Sequence, residues 1–86
     1  LVVYCQKNRR GQSRLGVTVS TKLGHAVVRN RVRRRLREIY RLNREKMPAG
    51  YDIIIVARVR AAETPYRKLE RHYLRCLGEL GLLTDA

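Results

Sequence analysis

Arginine is concentrated in one short stretch of this sequence. Six of the nine residues from Arg29 to Arg37 are arginine, and only Glu38 and Glu45 are acidic between Arg29 and Lys46. The flat guanidinium group makes two parallel hydrogen bonds to a phosphate group, a geometry that the lysine ammonium does not offer. A solvated helix surface normally mixes charges of both signs. The stretch therefore predicts a surface that binds a polyanion.

Helical spacing separates these arginines from an apolar stripe. At 100° per residue, one side of the helix carries the apolar residues Val28, Val32, Leu36 and Ile39, with Tyr40 at the edge. The opposite side carries one amide and five guanidinium groups, from Asn30, Arg33, Arg34, Arg37, Arg41 and Arg44. We predict a helix over about residues 26–46. The candidate polyanion-binding residues are Arg29, Asn30, Arg31, Arg33, Arg34, Arg37 and Arg41.

The charge of the whole chain narrows the partner class. Twenty Lys and Arg against seven Asp and Glu give a net charge of +13, which favours nucleic acid first and an anionic membrane second. The apolar stripe is narrow and no apolar run is long enough to span a bilayer, so we expect no membrane partner. No short helix precedes the arginine helix at helix-turn-helix spacing, which argues against DNA. RNA fits better, because a rigid basic helix can dock on backbone shape.

Residues able to perform catalysis do not form a recognisable set. His25 and His72 are isolated, and Cys5 and Cys76 have no close spacing, so no nucleophile and base can be paired. A disulfide is possible on count alone, but two buried free thiols in a reducing cytosol are preferred. With no signal-peptide pattern, we expect a cytoplasmic protein. We also expect no catalytic residue and no metal or cofactor held by the protein.

The elements that must position the arginines form a two-layer arrangement. The pattern predicts strands over 1–5, 14–20 and 52–58, the arginine helix, and a second helix with Thr64 as N-cap and Pro65 as first residue. Polar residues 6–13 are predicted to be an exposed hairpin loop. The apolar run over 52–58 is expected to be covered at least partly on both faces. This order indicates one domain, an α/β (α+β) two-layer sandwich with two helices on a small mixed sheet.

The segment "GHAVVRNRVRRRLREIYR", from Gly24 to Arg41, closely resembles the signature of the bacterial ribonuclease P protein subunit. That signature runs Gly-x-Ala-Val-x-Arg-Asn and continues with basic residues at helical spacing. "RLGVTVSTKLG" and "YDIIIVAR" are similar to strands of the family, so the resemblance covers nearly the whole chain. It implies a ribosomal protein S5 domain 2-like fold, with a left-handed β-α-β crossover joining strands 14–20 and 52–58. The general rule for such crossovers is right-handed.

The resemblance also implies a role. The family's protein joins a catalytic RNA, and the holoenzyme, an endoribonuclease, removes the 5′ leader of precursor tRNA. The RNA performs the chemistry with Mg²⁺, while the arginine helix binds the RNA and the sheet holds the leader. Tyr4, Thr18 and Ser20 match the leader cleft, although Tyr4 as a stacking platform and Tyr4 as ordinary packing stay equal alternatives. The family begins with a helix and a short strand that precede the matched part, so we expect this sequence to be N-terminally truncated.

The alternative function is a structural RNA-binding protein of ribosomal type with no processing role. Such proteins share this fold, so the fold does not discriminate between the two functions. The opening of the arginine helix, Gly-x-Ala-Val-x-Arg-Asn-Arg from Gly24 to Arg31, favours the ribonuclease P subunit.

Overall fold

The sheet has three strands, and the strand that comes last in the chain lies in the middle. The computed structural model describes residues 1–83, with β1 over Val2–Lys7, β2 over Arg14–Val19 and β3 over Tyr51–Ala57. β3 pairs antiparallel with β1 and parallel with β2. The predicted hairpin is therefore wrong. The most apolar strand takes the centre, so residues 8–13 cross the end of the sheet instead of turning back on β1.

Two α-helices cover one face of this sheet. α1 spans Ala26–Leu42 and α2 spans Tyr66–Glu79; α1 contacts β2 and α2, while α2 also contacts β1. The predicted apolar stripe of α1 is confirmed, because Val32, Leu36, Ile39 and Tyr40 are buried and Val28 is half-buried. The parallel β2–α1–β3 unit is also confirmed. The handedness of that crossover stays a prediction.

The end of α1 and the start of α2 differ from the predicted boundaries for local reasons. α1 ends at Leu42, where the side chain of Asn43 donates to the Ile39 carbonyl at 2.8 Å beside the bond from its own N–H. A 3-10 turn follows over Arg44–Lys46. Thr64 is not the N-cap of α2. Pro65 holds that position with ψ 149°, and the Thr64 hydroxyl donates to the Arg60 carbonyl at 2.6 Å.

The other face of the sheet is open within the described residues. Along β3, Ile53, Ile55 and Ala57 are buried, whereas Ile54 between them is 46% exposed. The expectation that β3 is covered at least partly on both faces fails at Ile54, because both helices pack on the other side, whereas the outward Val56 is half-buried. The consequence is an apolar strand whose outward side chains are available to a ligand.

Two further findings concern the described residues. No helix within residues 1–83 is long and apolar enough to cross a lipid bilayer. Cys5 and Cys76 are both free and half-buried.

Candidate RNA interface

The predicted RNA-binding residues all lie on α1 and are held in place by its buried side. Val32, Leu36 and Ile39 are almost fully buried, which fixes the rotation of the helix about its axis. The side chains left in contact with solvent are those of Asn30, Arg31, Arg34, Arg37 and Arg41. Arg33 is half-buried, and its Nη1 donates to Asn30 Oδ1 at 3.1 Å. We use the name arginine face of α1 for Asn30, Arg33, Arg34, Arg37 and Arg41 together with Arg44, which lies in the 3-10 turn that follows the helix.

Arg29 lies beside the arginine face and is partly enclosed by the fold. Its side chain is half-buried, and its Nε atom is buried without a hydrogen-bond partner among residues 1–83. Buried donors are nearly always paired in folded proteins, so an unpaired one is expected at strained or ligand-binding positions. The unpaired Nε makes Arg29 a candidate ligand-binding position beside the arginine face.

The charge of the arginine face is not compensated within the described part of the chain. The one ion pair between residues 1 and 83 joins Arg14 to Asp52, which lie on the sheet. On α1, Arg29, Arg33, Arg37 and Arg41 follow one another at four-residue spacing, and each like-charged pair of this kind costs about 0.2–0.5 kcal/mol. The first turn of α1 has no acidic residue and its N-cap, His25, makes no capping bond. A polyanion would offset these costs.

The open face of the sheet forms a second surface with different chemistry. The strand register places Tyr4 and Gly16 on either side of Ile54, and it places Val2 and Thr18 on either side of Val56. Tyr4 is 58% exposed, the largest exposure of any aromatic residue among 1–83. Gly16 leaves a depression, because a Cβ atom there would lie 3.8 Å from Ile54 Cγ1, at ordinary contact distance. The result is a shallow apolar surface with a phenol at one edge.

The predicted leader-binding residues are only partly brought together. Tyr4 and Thr18 share the open face, on the two edge strands and in neighbouring rows. Ser20 lies beyond the end of β2, where its Oγ accepts a hydrogen bond from the Lys22 N–H at 3.2 Å and caps the 3-10 turn Thr21–Leu23. Its oxygen thus already accepts one hydrogen bond within the fold.

One polar cluster at the end of this face was missed by sequence reasoning. Asp52 Oδ1 accepts from Arg14 Nε at 3.2 Å and from Asn8 Nδ2 at 2.8 Å, and Asp52 Oδ2 accepts from Arg14 Nη2 at 3.1 Å. The hydrogen bonds from Arg14, and then that from Asn8, hold the pKa of Asp52 below its ordinary value. The cluster neutralises Arg14 and fastens residues 8–13 to β3. The alternation of side chains along β2 predicts that Arg14 lies on the open face of the sheet. The register of β2 against β3, which brings Arg14 to Asp52, cannot be predicted from the sequence.

A basic helix on one side of a small sheet and an open, partly apolar sheet face on the other define an RNA-binding protein of the α+β class. Comparison with known proteins agrees. The family model described as Ribonuclease P matches residues 1–81. The ribonuclease P protein component of Alkaliphilus oremlandii is 43% identical over 86 residues, which cover 100% of this chain and 75% of that protein. The component of Clostridioides difficile is 46% identical over 72 residues, 83% of this chain and 63% of that protein. The chain therefore belongs to the ribonuclease P protein family.

Solved structures confirm the fold. A Staphylococcus aureus RNase P protein, described as a mutant with defective mRNA degradation activity, matches with a TM-score of 0.82 and 32% identity over 94% of this chain and 69% of that chain. The RNase P protein of Thermotoga maritima matches with a TM-score of 0.80 and 33% identity, over 90% of this chain and 74% of that one. Both confirm the resemblance seen in the arginine stretch and the predicted α+β sandwich.

Proposed function

We propose that this chain is the protein subunit of a ribonuclease P holoenzyme and binds the catalytic RNA through the arginine face of α1. The observation that carries the proposal is the uncompensated charge of that face on a helix whose rotation is fixed by its buried stripe. Guanidinium groups held in a fixed array suit phosphate groups held in a folded RNA. Arg29 and Arg31 flank the face and extend the contact.

The open sheet face is the proposed site for the single-stranded 5′ leader of precursor tRNA. Exposed aromatic rings stack on bases without strong sequence preference, and Tyr4 offers such a ring beside the apolar Ile54. Thr18 supplies a hydroxyl on the opposite edge strand. The arginine face and the open face lie on opposite sides of the sheet, so the protein can hold catalytic RNA and leader at the same time.

The chemistry itself is assigned to the RNA subunit, which uses Mg²⁺. The protein's share is to bind and orient. His25 precedes α1 and His72 lies on α2, both exposed and on separate elements, so they form no acid–base pair. Within residues 1–83, no three His, Cys, Asp or Glu side chains gather into a group that could hold a metal ion. Because the matched Staphylococcus aureus protein is a mutant with defective mRNA degradation activity, mRNA is a second substrate class to include in cleavage assays.

The test replaces part of the arginine face. Arg33, Arg34 and Arg37 are changed together to Gln, and affinity for the catalytic RNA is measured over a range of salt concentrations. Each lost phosphate contact should reduce the slope of log affinity against log salt by roughly 0.7–0.9. The control changes Lys7, Arg9 and Arg10 to Gln, which removes the same charge from the edge of the sheet and residues beyond it.

Comparison of the two variants distinguishes the effect of the arginine face on affinity from the effect of total charge. The arginine-face variant should lose most of the affinity and fail to restore 5′ cleavage of precursor tRNA in the reconstituted holoenzyme, whereas the control should retain both. Equal losses from the two variants would contradict the proposal. Specific 5′ cleavage by the purified protein without catalytic RNA would overturn the assignment of chemistry to the RNA.

A further inference from the structure

α2 carries a second row of arginines that the proposed function does not use. Arg67, Arg71 and Arg75 are exposed and follow one another at four-residue spacing, each about 6 Å further along the helix axis. The opposite side of α2 packs in the core through Leu69, Tyr73 and Leu77. The arginines therefore point away from the sheet on a helix that cannot rotate.

A cavity of about 570 Å³ lies next to this row, and α2 lines it through Lys68 and His72, the residues that follow Arg67 and Arg71 in the chain. The ionisable side chains that line it are Arg58, Arg60, Lys68 and His72. Its floor is apolar, from Leu1, Val59 and Leu69. No carboxylate is among the lining residues. We call the row Arg67, Arg71 and Arg75 together with this cavity the α2 cationic surface.

The arrangement of these charges is unfavourable for the isolated protein. Arg67 and Lys68 lie in the first turn of α2, which has no acidic residue, although the positive end of a helix dipole disfavours cations. Arginines at four-residue spacing also repel one another. None of them makes an ion pair with any residue between 1 and 83. An anionic partner would offset both costs.

The α2 cationic surface is separated from the arginine face of α1 by carboxylates. Burial, and then the nearby carboxylates of Glu38 on α1 and Glu70 on α2, raise the pKa of Tyr66 at the seam between the helices. Glu70 is fixed there by the Asn43 side chain, whose Nδ2 donates to Glu70 Oε2 at 3.0 Å. An RNA strand that follows one surface meets these negative charges before it reaches the other.

We propose that the α2 cationic surface binds the phosphodiester backbone of a second RNA segment, distinct from the segment on the arginine face of α1. Because α2 lies on the same side of the sheet as α1, the second segment belongs to the catalytic RNA, and the protein bridges two parts of that RNA. The inference rests on the proposed function only for the identity of this RNA. The binding chemistry follows from the surface itself.

The experiment changes Arg67, Arg71 and Arg75 together to Gln in the full chain. Affinity is measured against salt concentration for catalytic RNA and for precursor tRNA separately, and hydroxyl-radical footprints are recorded on both. For catalytic RNA, the salt slope should fall by roughly 2–3 in total and affinity near 0.15 M salt by about tenfold or more. A larger loss for precursor tRNA than for catalytic RNA would overturn the assignment. The same three positions changed to Lys keep the charge and should keep most of the slope.

The footprint distinguishes this proposal from the proposed function. The α2 variant should expose one RNA segment, and the variant at Arg33, Arg34 and Arg37 should expose another. If the α2 variant changes neither RNA more than the control at Lys7, Arg9 and Arg10, the second surface does not exist, while the role of α1 still stands. If both variants expose the same segment, the bridging role is wrong. Circular dichroism monitors folding, and single changes of Arg71 or Arg75 to Gln, each expected to lower the slope by roughly one, replace the triple variant if it unfolds.

Discussion

Asn43 shows how a single buried side chain sets the boundary of an element. It is 3% exposed, and its Nδ2 donates both to the Ile39 carbonyl at the end of α1 and to Glu70 on α2. Its own backbone N–H donates to the carbonyls of Ile39 and Tyr40. One amide therefore ends α1 and ties the helix to its neighbour.

Changing Asn43 to Ala should destabilise the protein by about 1–3 kcal/mol, because the half-buried Glu70 carboxylate loses its donor and the Ile39 carbonyl loses one of its two donors. The free energy of unfolding would be measured by urea denaturation. Asn30→Ala, on the exposed arginine face, is the matched control and should stay within about 0.5 kcal/mol of the wild type. Equal effects at the two positions would show that the bridge from α1 to α2 adds nothing.

Asp52 gives a residue-scale prediction about pH. Hydrogen bonds from Arg14 and Asn8 lower its folded-state pKa below the ordinary value of 3.8. The cluster therefore stabilises the fold above that value, and the contribution is lost as the pH falls through the lowered folded-state pKa. The difference in free energy of unfolding between wild type and Asp52→Asn should be constant above about pH 5 and shrink below pH 3.8. Glu63→Gln controls for the loss of one negative charge. A difference that stays constant down to about pH 2 would contradict the assignment.

At the scale of elements, the sequence predicts what depends on local periodicity and misses what depends on distant partners. The two sides of α1 follow from the spacing of Val32, Leu36 and Ile39, and the structure confirms them. The central position of β3 does not follow, because strand order depends on which strand buries the most apolar surface. The partners Arg14 and Asp52 are 38 positions apart, so no local pattern could pair them. The end of α1 was missed for the same reason, since Glu70, one partner of the Asn43 side chain, lies 27 positions further along the chain.

The open sheet face yields a prediction of its own. Tyr4→Ala should reduce the preference for precursor over mature tRNA by about 1–3 kcal/mol for each base that stacks on the ring, whereas Tyr4→Phe should keep it. Affinities of the reconstituted holoenzyme for both tRNAs measure this preference. Gly16→Ala fills the depression beside Ile54 without a clash, since the new Cβ would be 3.8 Å from Ile54 Cγ1. If the Tyr4→Ala variant keeps the full preference for precursor over mature tRNA, Tyr4 is only a packing residue of the surface.

At the scale of the whole molecule, the positive charge of the chain destabilises the folded protein and favours the binding of RNA. The chain carries a net charge of +13, and residues 1–83 contain one ion pair, so the folded state repels itself. Salt shortens the range of this repulsion to about 8 Å at 0.15 M. The same salt weakens the attraction between arginines and RNA phosphates.

The free protein should therefore gain stability as NaCl rises from about 0.01 to 0.5 M, while its affinity for catalytic RNA falls over the same range. For a domain of this size, each 1 kcal/mol gained would raise the Tm by about 4–8 °C. Thermal unfolding followed by circular dichroism gives the first quantity, and titration with labelled RNA gives the second. The variant at Arg33, Arg34 and Arg37 should show a weaker salt dependence in both measurements, because the same charges cause both. A Tm that falls with salt would mean that favourable pairs such as Arg14 with Asp52 outweigh the repulsion among the positive charges. In that case the arginine face would not destabilise the free protein, and RNA would have no such repulsion to offset.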